Sequence, residues 1–77
     1  RSDKKPINYK IEESKKEIVF RVPQEYAGYT AEVYVDGHFL LAYTIGRKAE
    51  LKININSKLG QELLNDIKKN RNVEIRV

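Results

Sequence analysis

An internal echo constrains what this chain can fold into more than any other feature. Phe20-Arg21-Val22-Pro23-Gln24-Glu25-Tyr26, followed by Ala31-Glu32-Val33-Tyr34-Val35, is answered by Ile53-Asn54-Ile55-Asn56-Ser57-Lys58-Leu59, followed by Val73-Glu74-Ile75-Arg76-Val77. Each half, residues 18–37 and 51–77, reads as strand, breaker, short insert and strand. A strand unit this short cannot bury its apolar face alone, so two units, side by side or intertwined, are a natural way to make one core. The 77 residues make one domain near the lower size limit for independent folding; such a domain buries roughly 60% of its unfolded surface. The absence of cysteine removes disulfides and thiolate metal sites as staples, so a stabilising partner is expected to be protein, including a second copy of the chain.

Residues 1–16 read as a flexible polar tail interrupted by Pro6, with Ile7, Tyr9 and Ile11 offering at most one short strand. The remainder, 17–77, reads as a single α+β domain. Ile18, Phe20 and Val22 alternate up to Pro23, Ala31, Val33 and Val35 share a face, and Leu51, Ile53 and Ile55 alternate with Lys52 and Asn54. At the Asp36-Gly37 hairpin signal a two-residue loop would pair Tyr34 with Phe39. A longer, bulged loop is preferred because it gathers Val33, Val35, Phe39, Leu41, Tyr43 and Ile45 on the core side. From Lys58 the spacing becomes helical at Leu59, Leu63, Leu64 and Ile67, with Ser57 as a cap and Lys68-Lys69-Asn70 as a C-terminus. Gly60 would cost this helix about 1 kcal/mol relative to alanine, so tertiary packing is expected to sustain it. The expected architecture is a small, mainly antiparallel sheet of five or six strands, open to barrel-like closure, with one helix in the C-terminal half.

The grammar of these two halves resembles the swapped-hairpin units of AbrB, MazE and SpoVT-type transcription regulators and antitoxins. The stretches that carry it are Phe20-Arg21-Val22-Pro23-Gln24-Glu25 with Glu32-Val33-Tyr34-Val35-Asp36-Gly37, and residues 53–59 with Val73-Glu74-Ile75-Arg76-Val77. The resemblance covers about two thirds of the chain. It implies two units interlocked into a small barrel that binds DNA through basic residues on strands and loops.

The charge distribution is consistent with such a partner. Residues 1–16 hold six basic and three acidic side chains, 17–45 one and four, and 46–77 eight and four, so net charge runs +3, −3 and +4. A polarised domain can orient on an anionic partner. Arg47, Lys48 and Lys52, joined by Lys68, Lys69, Arg71 and Arg76, are the candidate phosphate contacts. The plainer reading leaves them as solvated surface, with Lys68 and Lys69 complementing a helix end and Glu50, Glu62 and Asp66 neutralising part of the patch. Tyr26, Tyr29 and Tyr34 would stack bases or anchor a protein partner, or else cover the core edge. Arg21 and Arg76 would read a groove or serve as charges that discourage edge aggregation.

Nothing in the chain resembles an active site. His38, the one histidine, follows a turn without companion ligands, Glu12-Glu13 sit in a charged turn, and the four glycines are scattered singly. The expectation is a non-enzymatic nucleic-acid-binding module, DNA before RNA. Its rival is a protein-interaction or dimerisation domain of a larger protein, using Tyr26, Tyr29, Leu40 and a sheet edge. No cofactor, metal or small-molecule substrate is expected. The longest apolar run, residues 39–43, is too short to span a bilayer, so the chain reads as cytoplasmic and, lacking any methionine, as a fragment or processed product.

Overall fold

Alternating apolar residues set the central strands of each half. The computed structural model describes residues 4–77. Its strands are β1 (Pro6–Ile7), β2 (Lys10–Glu13), β3 (Glu17–Arg21), β4 (Thr30–Val35), β5 (His38–Thr44), β6 (Glu50–Asn54) and β7 (Val73–Arg76), with helix α1 (Lys58–Lys68) between β6 and β7. All neighbours pair antiparallel, in two sheets ordered β1-β7-β4-β5 and β2-β3-β6. The α+β class and the single α-helix match expectation for the described residues; seven strands in two sheets replace the single sheet of five or six.

The additional strands come from the segment read as a tail. Ile7 pairs with Ile75 in one sheet, and Lys10 pairs with Arg21 in the other. Between them Tyr9 packs edge-on against Phe20, ring centroids 5.4 Å apart, and its hydroxyl donates to the Val73 carbonyl at 2.6 Å. Burial pushes this phenol's pKa up, with the Glu74 charge adding to the effect. Residues 6–13 thus fasten both sheets; residues 1–3 of the expected tail lie outside the described residues. Edge pairing uses backbone groups, which is why a polar sequence concealed it.

The inward residues Ile18, Phe20, Leu51 and Ile53 of one sheet join Ala31, Val33, Val35, Val73 and Ile75 of the other and Leu63 of α1 in one buried cluster. Each large side chain so buried contributes roughly 1.5–3 kcal/mol. Equivalent strands of the two halves are neighbours, β3 with β6 and β4 with β7. The insert of the first half is one 3₁₀ turn, Gln24–Tyr26, where the second half has α1.

One local expectation is corrected, and another is given its physical basis. The Asp36-Gly37 loop is a two-residue turn with both residues at positive φ (50° and 82°), pairing Val35 with His38 and Tyr34 with Phe39. A bulge at Leu40 then shifts the register so that Val33 faces Leu41, which restores Leu41 and Tyr43 to the core side and leaves Phe39 outside, 56% exposed. At Gly60 an added Cβ would stand 1.9 Å from the Asn54 carbonyl oxygen, so the glycine permits a close approach of helix to strand and is not a weakness. Ser57 Oγ caps α1 by accepting from Gly60 N at 3.0 Å. Asn70, at φ 57°, closes the other end: its N–H donates to the Ile67 carbonyl and that of Arg71 to Asp66, the Schellman pattern. No described helix is long and apolar enough to cross a membrane.

Candidate nucleic-acid interface

Residues 46–49 join β5 to β6 in a tight turn, closed by Ala49 N–H donating to the Gly46 carbonyl at 2.9 Å and docked by Val22 N–H donating to the Ala49 carbonyl at 3.0 Å. Ala49 adopts φ 57°, and Gln24 Nε2 holds the Arg47 carbonyl at 2.9 Å. The turn projects Arg47 and Lys48, both exposed. Together with Tyr43, Gly46, Glu50 and Lys52 they line an open cleft of ≈ 230 Å³. No ion-pair partner for Arg47 or Lys48 occurs among the described residues.

Lys52 and Glu50 belong to a charge chain across the outer face of β2-β3-β6. Arg21 donates from Nε and Nη2 to the two oxygens of Glu12 at 2.8 and 3.2 Å, and Nη1 pairs with Glu50. Glu50 lies 3.9 Å from Lys52 Nζ. The hydrogen bond from Arg21 holds the Glu12 carboxyl below the usual carboxylate range. Past this network a second open cleft of ≈ 280 Å³ is lined by Asn8, Tyr9, Lys10, Arg21, Val22 and Pro23. Lys10 therefore extends the basic side, a contribution that sequence reasoning missed, while Arg21, weighed there as a groove reader, is committed to Glu12 and Glu50. The alternation that turns Ile18 and Phe20 inward places Arg21 outward on a central strand, between Lys10 and Glu50.

The seven basic residues expected at one site fall in three places. Arg47, Lys48 and Lys52 share the cleft. Lys68, Lys69 and Arg71 lie at the end of α1, with Arg71 Nη1 3.7 Å from Asp66. That end is tied to the hairpin turn by Asp36 N–H donating to the Asn72 carbonyl (2.8 Å) and Asn72 N–H donating to Asp36 Oδ1 (3.0 Å). The turn at 46–49 sits at the opposite end of β4, where Ile45 N–H donates to the Tyr29 carbonyl. At about 3.3 Å per residue, β4 puts roughly 17 Å between the two groups. Arg76 occupies the outer face of the four-stranded sheet, bonded to Glu74 at 2.7 Å with its guanidinium 3.8 Å above the Tyr34 ring.

The tyrosines divide likewise. Tyr26 and Tyr29 meet edge-on near the 46–49 turn, centroids 6.0 Å apart, with Tyr29 55% exposed. Tyr34 is engaged: its hydroxyl donates to Glu32 at 2.8 Å, a bond that raises its pKa, and its ring lies between Arg76 and the edge of Phe39. The free aromatic surface on that face belongs to Phe39, which the two-residue turn sets opposite Tyr34.

No family model matches the chain, and no solved structure matches it significantly. Over 66 residues it is 30% identical to an uncharacterized KH and PIN-domain containing protein of Methanocaldococcus jannaschii, a match that covers 86% of this chain and 10% of the relative. The chain spans about a tenth of the length of that curated relative, and is similar to one short segment of a much larger protein.

Proposed function

We propose that the chain is a non-enzymatic nucleic-acid-binding module that holds phosphates at the cleft lined by Arg47, Lys48 and Lys52. The observation that carries this reading is the pair Arg47 and Lys48, projected by a rigid turn and unpaired among the described residues, beside an open cleft. Cations already committed to carboxylates gain little from a phosphate, whereas free ones release counterions from the nucleic acid on contact. Tyr43 in the cleft wall and the Tyr26–Tyr29 pair supply rings on which unpaired bases stack.

The similarity to a KH-bearing protein supports nucleic acid as the ligand class, since KH modules clamp single strands through a GXXG loop. This chain has no such loop, its glycines standing alone at 28, 37, 46 and 60, so its grip is of a different kind. The AbrB-like resemblance implies duplex DNA; pairing of the equivalent strands, β3 with β6 and β4 with β7, fits two related units side by side, whereas the described strands form two open sheets and no closed barrel.

The test is fluorescence anisotropy with labelled single-stranded RNA, single-stranded DNA and duplex DNA at about 50 and 200 mM salt. Binding is expected to weaken steeply with salt. Replacing Arg47, Lys48 and Lys52 by alanine should flatten the log–log slope by about 2, at roughly 0.7 per phosphate contact on a single strand. Absence of binding at the lower salt to all three probes would contradict the proposal, and an unchanged slope would move the contact elsewhere.

A further inference from the structure

The β2–β3 ladder ends at the pair Lys10 and Arg21. Continued in the same register, it would set Tyr9 beside Val22 and Asn8 beside Pro23. Two features stop it there. Val22 N–H turns towards β6, donating to the Ala49 carbonyl at 3.0 Å, and Pro23 has no N–H with which to reach Asn8. The two segments part, and between them lies the open cleft of ≈ 280 Å³ lined by Asn8, Tyr9, Lys10, Arg21, Val22 and Pro23.

The apolar part of its lining is fixed. Tyr9 is held by its hydroxyl bond to the Val73 carbonyl and by edge-on packing against Phe20, Val22 is buried, and Pro23 carries a ring-locked φ of −57°. Asn8, Lys10 and Arg21 are exposed. Arg21 is consumed by Glu12 and Glu50, which leaves the cleft without a free guanidinium. Among the described residues Lys10 has no ion-pair partner and the Asn8 amide no hydrogen bond. A phosphate finds little to hold it against tyrosine, valine and proline. A flat uncharged ring finds apolar contact for its face, and an amide with both a donor and an acceptor for its edge. The volume lies just below the range of about 300–1,000 Å³ usual for small-ligand pockets, room for one base.

Its position ties it to the phosphate-contacting cleft. Lys10, Arg21 and Glu50 stand abreast on β2, β3 and β6. At about 4.8 Å between neighbouring strands, Lys10 beside the one cleft is roughly 10 Å from Glu50 beside the other, with the Arg21–Glu50 ion pair between them.

We propose that this cleft is a nucleobase subsite, taking one unpaired base of a single strand whose neighbouring phosphates lie against Lys10 and the Arg47–Lys52 cleft. A base within a duplex cannot enter, because its faces are stacked and its edge is paired. Strandedness is therefore selected here, by a contact that the phosphates do not supply. This inference rests on the phosphate-contacting reading and deepens it by naming the class of nucleic acid.

The experiment compares, by fluorescence anisotropy, two labelled single strands of equal length and equal phosphate number: oligothymidylate, and an abasic strand in which every base is replaced by hydrogen. Oligothymidylate is expected to bind about tenfold or more tightly, with the same salt slope for both strands because the phosphates are shared. The double variant Asn8→Ala/Pro23→Ala, at two exposed positions, should weaken oligothymidylate binding by about tenfold and leave the abasic strand unmoved, a pattern that loss of fold cannot produce. Equal affinity for the two strands, or a preference for bases that survives the double variant, overturns the subsite and leaves the phosphate cleft standing. Absence of binding to both strands overturns the phosphate reading, and the subsite with it.

Discussion

Replacing Gly60 by alanine would ordinarily strengthen a helix, by about 1 kcal/mol at an interior position. Here the packing reverses the sign. The new Cβ would stand 1.9 Å from the Asn54 carbonyl oxygen, 2.8 Å from its carbon and 2.9 Å from Ser57 Oγ. Two of those atoms are backbone at the end of β6 and cannot swing aside. To reach ordinary contact at 3.4 Å the Cβ must retreat by about 1.5 Å, carrying the first turn of α1 with it. That movement strains the Ser57 cap, whose loss costs about 1 kcal/mol, and draws Leu63 out of the core, where misfit of this kind costs about 1–3 kcal/mol. Set against the helix gain, Gly60→Ala should destabilise by about 1–3 kcal/mol. For a domain of this size that corresponds to a melting temperature lower by roughly 4–24 °C. Thermal and urea denaturation followed at 222 nm measure it, with Asn65→Ala on the exposed face of α1 as a reference for propensity alone. A Gly60→Ala variant that melts with or above the parent would refute the close-approach argument.

Two other perturbations follow from the same physical accounting. Asn70 holds φ 57° at the end of α1, so Asn70→Gly should raise stability by about 0.5–1 kcal/mol and Asn70→Ala should lower it, as read by the shift in urea midpoint at constant slope. Glu12 titrates below its unfolded value because Arg21 hydrogen-bonds its carboxylate; its stabilisation is therefore complete above the ordinary carboxylate range and lost as pH falls through the lowered value. The melting temperature of the parent should consequently fall more steeply below about pH 5 than that of Glu12→Gln, and parallel curves would remove Glu12 from the charge chain.

The central strands were legible because their signal is local. Ile18 and Phe20, Ala31, Val33 and Val35, Leu51 and Ile53, and Val73 and Ile75 alternate with a period of two, and all are buried as that period requires. The helix and both of its caps were readable from Ser57 and Asn70 for the same reason. What stayed hidden depends on long-range geometry. The bulge at Leu40 reconciles a two-residue turn with an inward Leu41, an outcome that parity within the hairpin alone left open. The role of Gly60 is set by Asn54 across a strand–helix junction. Residues 6–13 carry little apolar signal because they contribute mainly backbone, with Ile7 and Tyr9 packing against the core.

The candidate site divides along the same line. Arg47, Lys48 and Lys52 are separated by a tight turn and half a strand, so sequence proximity became spatial proximity. Lys68, Lys69, Arg71 and Arg76 are placed by contacts that join positions 36 and 72, or 34 and 76, and no local pattern announces those.

The central claim, phosphate contact at the Arg47–Lys52 cleft, is tested most directly by amide chemical-shift mapping while a short single-stranded RNA is titrated into the labelled chain. The account predicts that shifts concentrate at Tyr43, Gly46, Arg47, Lys48 and Lys52, spread towards Lys10 and Arg21, and vanish at high salt. Shifts confined to the Lys68–Arg71 end or to the outer face around Arg76, with the cleft silent, would contradict it.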